Sequence, residues 1–131
     1  MQSLTVYAIS RALLGVAALT APATAGRMIA GDGGAEPDAQ SFLRGMGGRE
    51  IGLGLGLLAT MRAKGPVRPW LVAGVLADCG DLVGIAGAWR HMPSAKRWLS
   101  AGAAGSGAAI GAALLLSGPP DHSPPRLRGT I

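Results

Sequence analysis

The sequence contains very little charge, few aromatic side chains and only one cysteine. Among its 131 residues, 15% are charged and 4% are aromatic, and Cys79 is the single thiol. One cysteine forms no intrachain disulfide, and the lack of any cysteine–histidine cluster excludes the usual zinc and haem sites. We therefore expect no metal and no cofactor.

The chain is basic, but it lacks the features of a nucleic-acid-binding protein. Its net formal charge is +5 at pH 7, yet the basic residues occur in short segments without a long stripe or an aromatic platform. Basic residues between apolar segments are typical of membrane helices. We therefore expect no nucleic-acid partner, and we expect the chain to lie in a lipid bilayer.

Long apolar runs, rich in alanine, glycine and leucine, make up most of the chain. A soluble domain usually has about 25% charged residues, so these runs favour an integral membrane protein. The sequence predicts an all-α fold, a bundle of four transmembrane helices within residues 1–118, and a disordered tail at residues 119–131. The predicted helices span about residues 4–25, 38–62, 69–89 and 96–117. The basic residues divide almost evenly between the two sides, so they leave the orientation open.

The first run, at residues 4–25, has two interpretations. As a secretory signal, Arg11 would end its basic segment and Ala23–Ala25 would form the cleavage site. As a retained helix, it is long enough to cross an apolar core of about 30 Å. We favour the retained helix, because the apolar character begins at Leu4, before any basic side chain. Tyr7 and Arg11 are then one turn apart and share a face.

Three of the predicted helices contain glycines at four-residue spacing. Stripes of this kind let helix backbones approach closely in lipid, whereas each glycine in a soluble helix costs about 1 kcal/mol relative to alanine. We predict that the stripes pack helices within the bundle or join the chain to copies or partners in a homo- or hetero-oligomer. The stripes are Gly48, Gly52 and Gly56; Gly80 and Gly84; and Gly107 and Gly111.

The third run has two carboxylates at the centre of a predicted membrane span. Trp70 and Trp89 lie near its ends and fit the aromatic belts of the two membrane interfaces. Asp78 and Asp81 lie between them, and their spacing of three residues puts both on one helix face. A charge at the bilayer centre costs about 2.5 to 17 kcal/mol, depending on the method, unless it is paired or hydrated. These carboxylates therefore need partners.

The first and second runs supply the arginines that can pair with these carboxylates. Two close carboxylates in a medium of low dielectric constant cannot both stay ionised without a counter-charge. A guanidinium group can hold both through bidentate hydrogen bonds. We predict a mid-membrane cluster in which three arginines face three carboxylates: Arg11, Arg44 and Arg49 face Glu50, Asp78 and Asp81.

Three functions are compatible with this cluster. In the first, it binds a lipophilic small molecule or acts on one by acid–base chemistry, as an isomerase or a cyclase. In the second, its charges form a structural network, and the protein is a non-enzymatic accessory or assembly partner. In the third, the protein is an ion- or proton-coupled carrier. For the first function, the candidate catalytic residues are Asp78, Asp81 and Glu50, and the candidate ligand-binding residues are Arg11, Arg44, Arg49 and Tyr7.

Two segments resemble a known family. They are FLRGMGGREIGLGLGLL at residues 42–58 and WLVAGVLADCGDLVGIAGAW at residues 70–89. They are similar to small four-helix integral membrane proteins of bacteria and fungi that have no assigned function. That family has an R-x-x-G-x-R-[ED]-x-x-x-G-like stretch in its second helix and D-x-x-D in its third. The matching positions are Arg44, Gly47 or Gly48, Arg49, Glu50, Asp78 and Asp81.

This resemblance implies a retained first helix and a four-helix bundle. It implies no reaction, so the three functional hypotheses stay open. DoxX-type proteins are similar to the chain only in size and four-helix topology. From the apolar runs and this resemblance together, we expect a multi-pass protein of the bacterial cytoplasmic membrane.

Overall fold

The structure is a computed structural model that describes residues 1–118. Within this range the chain is helical, with five α-helices, one short 3-10 helix and no strand. The all-α prediction is therefore confirmed, and the predicted tail at residues 119–131 lies outside the described residues. The α-helices are α1 (Gln2–Thr20), α2 (Pro22–Ala30), α3 (Pro37–Arg62), α4 (Arg68–Ala88) and α5 (Ser94–Leu116), and the 3-10 helix is Asp32–Ala35.

The first apolar run forms two helices instead of one, which corrects the predicted number of helices. Helix α1 ends at Thr20, and Ala21 leaves the helical region with φ −132° and ψ 56°. Pro22 then starts α2. The proline ring disfavours a helical backbone at the residue before it but fits the first turn of a new helix. The sequence contained this signal, and the prediction of one continuous helix overlooked it.

Four long helices form two antiparallel pairs, α1 with α3 and α4 with α5. In the first pair, Gly15 lies against Gly47, and Ala8 lies against Gly54. The backbones are so close that a Cβ on Gly15 would lie 2.5 Å from the Gly47 carbonyl oxygen. A Cβ on Gly54 would lie 2.5 Å from the Ala8 carbonyl oxygen. Glycine is therefore required at these contacts.

The glycines that pack α3 against α1 are not the ones that the four-residue spacing indicated. Nothing lies within 4 Å of a Cβ placed on Gly48 or Gly52, whereas Gly47 and Gly54 contact α1 directly. Gly56 does pack, but against the indole ring of Trp70 on α4. Helix α3 carries two overlapping glycine stripes, and spacing alone does not tell which of them faces the protein.

The outcome differs between the two remaining stripes. A Cβ on Gly80 or Gly84 of α4 would have nothing within 4 Å, so these glycines do not pack helices within the chain. On α5, the predicted stripe is confirmed as a packing surface. Gly107 lies against the carboxylate of Asp78, and Gly111 lies against Val75 and Tyr7.

The apolar core occupies one end of the bundle, where α1 and α4 begin and α3 ends. It consists of one aromatic and five aliphatic residues: Leu4, Tyr7, Ala8, Leu57, Val67 and Leu71. At the opposite end, the rings of Trp89 and Trp98 meet edge to face with their centroids 4.9 Å apart. There the Ser100 hydroxyl also donates a hydrogen bond of 2.8 Å to the Ile29 carbonyl oxygen.

Large apolar side chains cover the outside of the bundle, while charged groups lie inside it. The exposed set includes Val6, Leu13 and Val16 of α1, and Leu76 and Val83 of α4. The buried set includes Arg11, Glu50 and Asp78. Large exposed apolar patches and buried charged groups are both uncommon in soluble proteins, so both features distinguish this bundle from an ordinary soluble one.

Three of the long helices are long and apolar enough to cross a membrane: α1, α4 and α5. Helix α3 does not meet that criterion, because Arg44, Arg49 and Glu50 lie in its middle. The described residues therefore contain three candidate membrane spans, where the sequence predicted four.

Candidate functional site

Five charged side chains form an ionic network at the middle of the bundle. They come from three different helices and meet at one level. Helix α1 contributes Arg11, α3 contributes Arg49 and Glu50, and α4 contributes Asp78 and Asp81. The i, i+3 spacing of the two aspartates puts both on the side of α4 that faces the arginines.

Arg11 connects three helices from the buried end of this network. Its Nη1 and Nη2 donate hydrogen bonds of 2.9 and 3.1 Å to the two carboxylate oxygens of Asp78. Its Nη2 also donates to Glu50 Oε1 at 3.2 Å. Its Nε lies 2.9 Å from Glu50 Oε2 but is not aligned for a hydrogen bond. Only 6% of the Arg11 side chain is exposed, so these carboxylates replace water around the guanidinium group.

Arg49 forms the open end of the network. Its Nη1 and Nη2 donate to both oxygens of Asp81, at 3.0 and 2.7 Å, and its Nε donates to Glu50 Oε1 at 3.0 Å. The side chains of Arg49 and Asp81 are 34% and 33% exposed. Glu50 is therefore shared by both arginines, and the network runs from the buried Arg11 to the Arg49–Asp81 pair, which is one third exposed.

Tyr7 extends the network toward α5. Its hydroxyl oxygen accepts a hydrogen bond of 2.7 Å from Arg11 Nη1, and the Arg11 guanidinium carbon lies 5.4 Å from the ring centroid. The hydroxyl fits between two glycines, since a Cβ on Gly74 would lie 2.8 Å from it and one on Gly111 would lie 2.9 Å from it. The predicted shared face of Tyr7 and Arg11 is thus confirmed.

Glycines also shape the space around Asp78, although the sequence predicted no role for them at the site. A Cβ on Gly107 of α5 would lie 2.7 Å from Asp78 Oδ2, and one on Gly74 would lie 3.3 Å from Arg11 Nη1. Gly74 lies one turn before Asp78 on the same face of α4, and this spacing could have revealed it. Helix α5 supplies no charge to the network, and Gly107 lets it pack against the carboxylate.

Arg44 is not part of the network, which corrects the predicted cluster. It is exposed, and it forms no ion pair within residues 1–118. Arg44 lies five residues before Arg49, which turns it by about 140° around α3. The network therefore contains two guanidinium groups and three carboxylates, with a formal charge of −1 when all are ionised. The sequence had predicted a neutral set of three and three.

A surface groove lies beside the network, between α1 and α5. Its volume is about 390 Å³, and its walls combine apolar and polar side chains. Tyr7 is the lining residue that contacts the network, through its hydrogen bond with Arg11. The lining residues are Gln2, Ser3, Val6, Tyr7, Ser10 and Ile110.

Six of the seven candidate site residues thus meet in one place, and Arg44 lies apart from them. Within residues 1–118, no group of three histidine, cysteine, aspartate or glutamate side chains is placed to hold a metal ion. Comparison of the chain with protein-family models, curated proteins and solved structures gives no match. The geometry of the network and its surroundings is therefore the basis for assigning a function.

Proposed function

We propose that the chain is a multi-pass membrane protein in which α1, α3, α4 and α5 each cross the bilayer. The apolar exterior and the ionic interior support this placement. Helix α3 has 26 residues and a length of about 39 Å, which exceeds an apolar core of about 30 Å. Its central Arg49 and Glu50 are paired, and pairing makes charge tolerable at that depth. The resemblance to small four-helix membrane proteins points the same way.

Within the membrane, the protein acts as a non-enzymatic accessory or assembly partner. The observation that supports this role is the engagement of the carboxylates. Each of the six carboxylate oxygens has a guanidinium nitrogen at 2.7–3.1 Å. A general base has to reach a proton of its substrate, and here arginines occupy the positions that a substrate would need.

The network then determines how the two helix pairs fit together. The backbones of α3 and α4 approach less closely than those within either pair, so side chains make most of this interface. A buried ion pair adds little net stability compared with apolar packing, but an alternative arrangement that separates its charges is strongly disfavoured. Arg11 and Arg49 therefore hold the α1–α3 pair and the α4–α5 pair in one relative position.

The groove beside Tyr7 supports a second candidate, the binding of a lipophilic small molecule. Apolar walls with a few polar groups are the usual composition of such a site. The three candidate catalytic carboxylates do not line this groove, so it favours binding over acid–base catalysis. The hypothesis of an ion- or proton-coupled carrier stays a prediction.

Cys79 provides a test of the membrane placement. It is exposed on α4 next to Asp78, so it would face lipid near the middle of the bilayer. In reconstituted vesicles we expect a membrane-permeant maleimide to label Cys79 faster than a sulfonated maleimide.

The matched control for this test combines Cys79→Ser with Lys64→Cys. This variant moves the thiol to the connection between α3 and α4, where both reagents should label it in vesicles of mixed orientation. Rapid labelling of Cys79 by the sulfonated reagent in sealed vesicles would rule out the proposed membrane placement.

The accessory role is tested against small-molecule binding by filling the groove. In Ser10→Trp the indole occupies the groove, and in the control Ser106→Trp it lies on an exposed part of α5. We expect solvent extraction and mass spectrometry of the purified protein to give the same lipids for both variants and for the native chain. A stoichiometric compound that Ser10→Trp alone loses would replace the accessory role with ligand binding.

A further inference from the structure

Arg44 has no counter-charge within residues 1–118, although it lies within the proposed membrane span. This inference rests on the proposed membrane setting. The midpoint of α3 lies near Glu50, and Arg44 lies about 8 Å from it along the helix axis. The apolar half-thickness of a bilayer is about 15 Å, so the backbone of Arg44 lies inside the apolar layer. Charged side chains at such depths pair with a partner or reach toward an interface.

The ionic network has the opposite imbalance. Its two arginines and three carboxylates leave one negative charge in excess, and the Arg49–Asp81 end is one third exposed. Within the chain, Arg44 cannot reach this end, because the two arginines point about 140° apart around α3. Among the described residues of the proposed membrane interior, Arg44 is therefore a cation without an ion pair, and the network at a nearby depth has one excess negative charge.

A smooth face of α3 lies between these two charges. It contains Gly45, Gly48 and Gly52, and a Cβ on any of them would have nothing within 4 Å. Gly48 lies one turn after Arg44, and Gly52 lies one turn after Arg49, so the glycines follow one another across the exposed side of the helix. Small residues at this spacing let two helices pack closely in lipid.

We propose that the chain forms a two-fold homodimer through this face of α3. With the two-fold axis along the membrane normal, the two α3 helices run parallel. The Arg44 side of one copy then faces the Arg49–Asp81 side of the other, and the contact occurs twice. Arg44 pairs with Asp81 of the partner subunit, so each ionic network gains the positive charge that it lacks.

The charge balance is what selects a second copy as the occupant of this face. This face has Arg44, which forms no ion pair within residues 1–118, on one side and the Arg49–Asp81 end of a network with one excess negative charge on the other. A two-fold contact gives Arg44 a carboxylate and gives the network a further positive charge. An unrelated apolar helix would supply neither. The dimer also covers the open glycines, which are otherwise in contact with lipid.

Cysteine cross-linking in vesicles tests the dimer directly. In a Cys79→Ser background, Gly48→Cys places a thiol at the centre of the proposed interface, and Gly102→Cys places one on an open face of α5. We expect oxidation to convert Gly48→Cys into a covalent dimer and to leave Gly102→Cys monomeric. Equal cross-linking of both variants, or of neither, would overturn the proposal.

The charge pairing has its own readout, which is the dimer dissociation constant in bicelles with the native glycines. Arg44→Met should raise this constant about tenfold, equivalent to about 1.4 kcal/mol, and Arg44→Lys should restore part of the loss. An Arg44→Met variant that dimerises like the native chain would contradict the proposal. A chain that stays monomeric while its Cys79 remains shielded from the sulfonated maleimide would disprove the dimer and leave the membrane placement intact.

Discussion

Replacing Arg11 by methionine should cause the largest loss of stability of any single substitution in the chain. Methionine fills similar space but removes the charge that both Glu50 and Asp78 contact. Removal of one partner of a buried ion pair costs about 3–5 kcal/mol, because the other charge is left without compensation. Here two carboxylates lose a donor, and of the two only Glu50 keeps another one, Arg49.

The effect of Arg11→Met is measured as the free energy of unfolding in mixed micelles, by denaturant titration. Arg62→Met is the matched control, because Arg62 is exposed at the end of α3 and forms no ion pair within residues 1–118. We expect the control to stay within about 0.5 kcal/mol of the native chain. A loss of similar size for both variants would mean that Arg11 does not hold the helices together.

Replacing Gly54 by valine should cause the second-largest loss. A single Cβ at this position would lie 2.5 Å from the Ala8 carbonyl oxygen and 2.8 Å from the Ala12 nitrogen. Both neighbours are backbone atoms, so α1 and α3 have to move apart to accept the side chain. Overpacking of this kind costs about 1–3 kcal/mol, and sometimes more. We expect Gly54→Val to weaken the α1–α3 pair in particular.

The control for this prediction is Gly102→Val on α5, where a Cβ meets nothing within 4 Å. Valine has a somewhat better helix propensity than glycine, so the control should be neutral or slightly stabilising. Protease cleavage in the connection between α2 and α3 reports opening of the α1–α3 pair. If Gly54→Val and Gly102→Val are cleaved at the same rate, the close backbone contact between Gly54 and α1 does not form in the native protein.

Most of the network was predictable from the sequence, because unpaired charges are costly inside an apolar bundle. An arginine in the middle of one apolar run and two aspartates in the middle of another cannot stay unpaired, whatever the details of the fold. That argument placed Arg11 and Arg49 with Glu50, Asp78 and Asp81. The i, i+4 spacing also placed Tyr7 on the Arg11 face, because this relation depends on local helix geometry alone.

The rotation of α3 was not predictable, because it depends on its neighbours. Helix α3 has glycines on the face that packs, at a spacing of seven residues, and on the face that stays open, at a spacing of four residues. Gly48 and Gly52 have the expected four-residue spacing but stay open, whereas Gly47 and Gly54, two helical turns apart, pack against α1. The same uncertainty put Arg44 in the predicted cluster, since only the contact with α1 shows which side of α3 points inward.

The break at Pro22 was missed for a different reason. Hydropathy gives almost the same weight to residues on both sides of the proline, so the apolar run appeared continuous. The backbone preference of the residue before a proline carried the information. Helix α3 was the reverse case. The sequence predicted it at residues 38–62, and the structure has it at Pro37–Arg62, but its central charges exclude it from the three candidate membrane spans.

A double-mutant cycle between Arg11 and Asp78 tests the central claim, that the ionic network joins the two helix pairs. The cycle compares the free energies of unfolding of Arg11→Met, Asp78→Asn and the double variant in mixed micelles. The account predicts that the double variant is about 1–3 kcal/mol more stable than the sum of the two single losses implies, which lies within the range of about 0.5–3 kcal/mol for residues in one network. Losses that add to within about 0.5 kcal/mol, as for distant residues, would contradict it.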